Sequence, residues 1–138
     1  MASDIHQELR AEVARRAEYR CEYCLIYEED AAFPHQVDHV ISRKHGGPSA
    51  ADNLAYACVV CNRNKGADVA SIEPQTGKVV RLFNPRLDRW SDHFRLDDEL
   101  IEARTELGAV TVSLLRLNSA ERIAERWALQ ALGRYPLR

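Results

Sequence analysis

The four cysteines of the chain, Cys21, Cys24, Cys58 and Cys61, fall into two C-x-x-C pairs, CEYC and CVVC, and none is left over. Two-residue spacing lets both sulfurs of a pair point at one ion. Two such pairs supply the four tetrahedral thiolates of a structural zinc site. With four protein ligands the tetrahedron is full, so this zinc would be structural and not catalytic. A thioredoxin-like redox motif needs only one such pair. Disulfides and unliganded core cysteines are the alternatives. The N-terminal stretch MASDIHQELR has no apolar leader segment, so the expected compartment is the reducing cytoplasm, which disfavours disulfides. A zinc ion would tie residue 21 to residue 61 and enclose what lies between.

At 138 residues the chain fits one domain, or a small catalytic module with an extension. Its 46% hydrophobic and 29% charged residues are near globular averages, which argues against disordered and fibrous classes. There is no run of 18 apolar residues, so no membrane span is expected. The net charge is −2. Residues 1–70 hold 8 Lys and Arg against 11 Asp and Glu, and residues 71–138 hold 11 against 10. A nucleic-acid role would therefore rest on a local patch or a bound metal, not on bulk charge.

Ile5, Leu9, Val13 and Ala17 recur every four residues and predict a helix from Asp4 to about Arg20. Gln36–Ile41 alternates apolar and polar residues, a strand signal, and Leu54–Ala57 is a second, shorter strand. Between them, SRKHGGPSAAD must be a loop. A short helix is expected from Asn62, beside the second cysteine pair. Further on, Lys78–Phe83 reads as a strand, and Leu100–Thr105 as strand or helix. Residues 84–99 carry no clear pattern. Ala109–Leu117 reads as a helix with Val110, Leu114 and Leu117 on one face. Asn118–Leu132 reads as another, capped by Asn118 with Glu121 three residues on and stopped by Gly133. Its stripe of Ala120, Ile123, Ala124, Trp127, Ala128, Ala131 and Leu132 is expected to face the core. No internal repeat or low-complexity tract is present.

The chemistry lies between the cysteine pairs. Asp38 and His39 stand side by side near a strand end, Asn53 opens the second strand, and Asn62 directly follows the last cysteine. A divalent cation that acts on phosphate takes hard oxygen ligands and keeps positions for water and substrate. Asp38 and Asn62 offer two such oxygens, and a neutral His39 can take a proton from water. Together they suit metal-assisted phosphodiester hydrolysis. Taken singly, each has a plain reading: a surface Asp-His pair, a turn asparagine, a helix-capping asparagine. Adjacent strand residues also point to opposite faces, so Asp38 and His39 converge only if the strand ends or bulges there.

In their order, CEYC, VDHVISRKHGG and DNLAYACVVCNRNKG resemble the His-Asn-His (HNH) endonucleases over about residues 15–68. The tail, with LFNPR, Trp90, His93 and Phe94, more loosely resembles the extension of stand-alone bacterial members. The resemblance implies a ββα-metal fold, with His39 as the general base, Asp38 as a metal ligand, and Asn53 holding the inter-strand loop so as to orient the His. It implies Asn62 as the second ligand, in an H-N-N variant, and the four cysteines as the zinc site. It also implies products with 5′-phosphate and 3′-hydroxyl ends. His35 and His45 are rival bases or phosphate contacts. Arg43, Lys44, Arg63 and Lys65 flank the site and can bind phosphates. Arg81, Arg86, Arg89 and Arg95 can extend that footprint.

The expected class is α+β. A zinc-stapled ββα-metal nuclease core with an N-terminal helix spans residues 1–70, and a C-terminal α/β extension over 71–138 packs on it and ends in helices. The expected activity is a DNA endonuclease with structural Zn²⁺ and catalytic Mg²⁺ or Mn²⁺, DNA as partner and no membrane association. The alternative is a non-catalytic zinc module that binds nucleic acid or protein. Such a module has no need of Asp38, His39 and Asn62 together.

Overall fold

The computed structural model describes residues 5–136. The expected helix start at Asp4 lies outside them. Helix α1 runs Gln7–Arg16, shorter than its apolar stripe suggests. Its backbone leaves the helix at Glu18 and Tyr19, which both take positive φ. Ile5 and Val13 are buried with Leu54 and Tyr56, and Leu9 and Ala17 pack against them, so the stripe does face a core.

The first cysteine pair sits in a tight hairpin turn. Cys21 N–H donates to the Ile26 carbonyl, and Leu25, with φ 71°, donates back to the Cys21 carbonyl. Strand β1 (Gln36–His39) and strand β2 (Leu54–Ala57) then pair antiparallel, with Asp38 opposite Ala55 and His39 opposite Leu54. The strand stops at His39, two residues before the alternation does. All four β2 residues are buried. Helix α2 spans Val59–Lys65 and begins inside the second cysteine pair rather than after it, because Cys58 is its N-cap and accepts from Cys61 N–H. Strand, loop, strand and helix thus form a ββα unit stapled at both ends by cysteines, within an α+β chain.

Two more hairpins follow. Strands β3 (Ala70–Ile72) and β4 (Val79–Arg81) pair, as do β5 (Phe94–Asp97) and β6 (Leu100–Ala103). A single-turn helix α3, Trp90–His93, leads into β5. Helix α4 (Glu106–Leu115) is capped by Thr105, and Gly108 lets it lie on α3. A Cβ at Gly108 would sit 2.2 Å from the His93 carbonyl oxygen.

Helix α5, Ala120–Ala131, corrects two expectations. Its cap is Ser119, which accepts from Arg122 N–H. Asn118 instead pins β6, donating to the Ile101 carbonyl and accepting from Ile101 N–H and from Arg126. The apolar stripe does not face inward: Trp127 is 62% and Leu132 75% exposed, while Arg122 and Arg126 are buried. Besides Leu129, which packs on the core cluster, the inner face of α5 meets thiols and backbone carbonyls, which call for donors.

The largest core cluster joins the two halves of the chain. Cys21, Tyr23, Cys24, Ile26, Ala57, Cys58 and Cys61 pack with Phe83, Phe94, Ile101, Leu115, Leu117 and Tyr135. Trp90 Nε1 donates to the Tyr23 carbonyl, and Tyr135 Oη to that of Cys24. Among the described residues no helix is long and apolar enough to cross a membrane.

Candidate active site and metal centre

The four cysteine sulfurs lie within 4.8 Å of one another, and all four residues are buried. Cys24 Sγ and Cys58 Sγ are 3.8 Å apart. A tetrahedron of Zn–S bonds near 2.3 Å has an S···S edge of about 3.8 Å. In each pair a backbone amide donates to the first sulfur: Cys24 N–H to Cys21 Sγ and Cys61 N–H to Cys58 Sγ, both at 3.4 Å. Such donors favour thiolate over thiol. The four cysteines are thus placed to hold a zinc ion.

Arg122 adds two donors that the sequence did not suggest. Its Nη2 lies 2.8 Å from Cys24 Sγ and its Nη1 3.4 Å from Cys58 Sγ. Burial opposes its charge, but thiolate charge on Cys24, Cys61 and Cys58 outweighs burial and holds its pKa above the ordinary value.

The second cluster is built where β1 ends. Asp38, His39, Ser42, Arg43, Lys44 and Asn62 line one open cavity of about 380 Å³, together with Val37, Gly66 and Ala67. Because β1 stops at His39, neighbouring strand residues can border the same space. The Asp38 carboxylate is 4% exposed. Tyr23 Oη donates to its Oδ2 at 2.9 Å, and Lys65 Nζ lies 3.3 Å from both oxygens. Burial raises the Asp38 pKa, and the Lys65 charge, the Tyr23 bond and His39 offset only part of that rise.

His39 Nε2 shares a 2.9 Å hydrogen bond with Ser49 Oγ. Ser49 lies in the β1–β2 loop, and Asn53 ties that loop together. Asn53 Oδ1 accepts from Ile41 N–H, while its Nδ2 donates to the carbonyls of Ile41 and Pro48. Gly47 makes the closure possible, since a Cβ there would sit 1.7 Å from the Ile41 carbonyl oxygen and 2.8 Å from Asn53 Nδ2. Asn62, in the second turn of α2, donates from Nδ2 to Gln36 Oε1 at 2.6 Å.

The basic residues separate. Arg43 and Lys44 are exposed on the cavity wall. Arg63 is exposed but borders a different hollow, with Asn64 and Arg116. Lys65, read from sequence as a phosphate contact, is 1% exposed, and its ammonium is taken by Asp38 and the His39 carbonyl. It holds the site from inside. His35 is buried against Tyr56, its Nε2 2.9 Å from the Ile26 carbonyl oxygen, and it does not border the His39 cavity. His45 is exposed at the end of the Arg43–His45 turn. Tyr23 and Ser49 were missed from sequence. A tyrosine inside CEYC and a serine in a polar loop carry no pattern that links them to Asp38 and His39.

A carboxylate, an imidazole and a carboxamide on one cavity form a hard-donor set beside a proton acceptor, with two exposed cations at the rim. The carboxylate and the carboxamide are oxygen donors of the kind hard divalent ions take. A carboxylate offers about four lone-pair positions. Lys65 and Tyr23 make three contacts with Asp38, two of them on Oδ2 and one on Oδ1.

The family model for HNH endonucleases matches residues 21–68. That span runs from Cys21 to Asp68 and contains both cysteine pairs, the ββα unit and every residue of the His39 cavity. No curated protein and no solved structure matches the chain.

Proposed function

From the HNH endonuclease domain matched at residues 21–68, we propose that this protein is a metal-dependent DNA endonuclease that hydrolyses phosphodiester bonds. The observation that carries this reading is the convergence of Asp38, His39 and Asn62 on one open cavity rimmed by Arg43 and Lys44.

In this reading Asp38 and Asn62 hold Mg²⁺ or Mn²⁺, and oxygen donors suit such ions better than softer metals. When bound, such an ion would supply Lewis-acid neutralisation of the charge that develops during phosphodiester hydrolysis. The chain's own residues do the rest. The His39 imidazole takes the proton of the attacking water, which requires the neutral ring. Ser49 fixes the orientation of that ring through Nε2. Asn53 acts one step further out by keeping Ser49 and Ile41 in register. Lys65 and Tyr23 position the Asp38 carboxylate and keep it from turning away from the cavity. Arg43 and Lys44 meet the phosphates on either side of the bond that is cut. The four cysteines hold structural zinc, and the extension over 71–138 serves as the packing surface that keeps the ββα unit rigid. A cytoplasmic location suits four thiols kept as metal ligands.

The direct test is incubation of purified protein with supercoiled plasmid DNA across Mg²⁺, Mn²⁺ and Zn²⁺. Nicking or linearisation with Mg²⁺ or Mn²⁺, ending in 5′-phosphate and 3′-hydroxyl, is expected. A zinc-loaded, folded protein that binds DNA but cuts it with none of these ions would instead be a binding module.

A further inference from the structure

Helix α5 buries Arg122 and Arg126 against the core while Trp127 stands exposed on its outer face, against ordinary amphipathic packing. Arg122 is 5% exposed and Arg126 is fully buried. A buried guanidinium is costly unless negative charge meets it. Two Arg122 nitrogens reach sulfur: Nη2 is 2.8 Å from Cys24 Sγ and Nη1 is 3.4 Å from Cys58 Sγ. The partly exposed Glu125 carboxylate touches only Nε, at 3.5 Å. Arg126, one turn on, bonds only to neutral oxygens: Nε to the Glu99 carbonyl and Nη2 to Asn118 Oδ1. Its Nη1 is buried without a hydrogen-bond partner among the described residues. Nothing bonded to Arg126 balances its charge.

Four thiolates around one zinc ion carry a net charge of −2, and the Arg122 guanidinium is the positive group in contact with the sulfurs. We propose that Arg122 is a counter-charge of the zinc–thiolate centre, acting through direct N–H···S bonds to Cys24 and Cys58. Docking of α5 and retention of the metal are then one linked equilibrium. The inference rests on the reading that the cysteines hold zinc. It goes beyond the HNH match, which ends at residue 68 while the cation comes from residue 122. It also accounts for the orientation of α5, because an apolar face set against the cluster would leave the −2 charge uncompensated in a medium of low polarity. By linkage, the factor by which docked α5 strengthens zinc binding is the factor by which bound zinc favours docking of α5.

The test compares the full-length protein with Arg122→Met, Arg122→Gln and Arg122→Lys. Zinc content is measured by elemental analysis, and zinc release into excess chelator is followed with a metal indicator. Each protein is also loaded with Co²⁺ and its sulfur-to-metal charge-transfer band recorded. Loss of an outer-shell partner typically weakens metal binding about 10–100-fold. Arg122→Met is expected to release zinc faster by about that factor, Arg122→Gln nearly as fast, and Arg122→Lys close to wild type. The charge-transfer band is expected to move in the Met and Gln variants and not in Lys. Should Arg122→Met fail to fold, the Gln and Lys pair carries the comparison. Equal release from Gln, Lys and wild type, with an unmoved cobalt band, overturns the counter-charge role. Wild-type protein that folds without zinc overturns the zinc reading itself, and this inference with it.

Discussion

Asn53 holds three backbone groups with one short side chain, and its effect reaches His39 through Ser49. Asp38, His39, Asn53 and Asn62 could be picked out of the sequence because their spacing between two cysteine pairs is itself a pattern. The partners Tyr23 and Ser49 could not, and Lys65 was read as a phosphate contact rather than as a partner of Asp38. Lys65, Tyr23 and Ser49 act through contacts 27, 15 and 10 residues away, and nothing local marks a lysine as buried. The roles proposed for His39 and Asp38 predict separable failures. His39→Ala should keep its fold and its divalent-ion affinity and cut about 10²–10⁴-fold more slowly, the usual share of a general base. Asp38→Ala should lose affinity for the catalytic ion, so that raising Mn²⁺ partly restores its rate. Metal titration of plasmid nicking, with circular dichroism as a folding control, reads both. Identical metal curves for the two variants would defeat the division of roles.

At the scale of elements, the sequence reading did best where a side-chain pattern alone decides. The stripe on α1 and the alternation in β1 place those elements correctly to within a few residues. Strands β3 and β5 are three and four residues long and sit among charges, too short for a period to show. Helix α5 failed differently. Its length and its stop at Gly133, which has φ 71°, agree with the sequence, but its orientation does not. Hydropathy cannot know that the surface awaiting the helix is a cluster of sulfurs and carbonyls. The reversal is measurable. Trp127→Ala, at an exposed position, should change unfolding free energy by no more than about 0.5 kcal/mol. Leu115→Ala, in the main core cluster, should cost about 2–5 kcal/mol. Denaturant titration of the two variants distinguishes this packing from one in which the stripe of α5 faces inward, where the tryptophan would be the costlier loss.

For the whole molecule, the cysteine cluster is the joint on which both halves close. The first pair follows α1, the second opens α2, and α5 covers the sulfurs from the far end of the chain, with Phe83, Phe94 and Leu115 packed around the same centre. Structural zinc in small sites contributes about 10–16 kcal/mol of apparent binding energy, which becomes folding energy because the unfolded chain has no preformed site. The net stability of a domain is only about 5–15 kcal/mol, so removing the ion removes a quantity as large as the whole margin. Cys58→Ser should therefore unfold the ββα unit and undock the C-terminal half with it, and a strong chelator should do the same to the wild type. The outcome is checked by following three signals through one chelator titration: far-ultraviolet circular dichroism, tryptophan fluorescence from Trp90, which is bonded to the Tyr23 carbonyl, and plasmid nicking. With Mg²⁺ restored in excess of the chelator for every nicking assay, all three should fall together and return together when zinc is added back. Retained secondary structure and nicking after complete zinc removal would show that the hydrophobic cluster holds the fold without the ion, and the cysteines would then be core residues and not a staple.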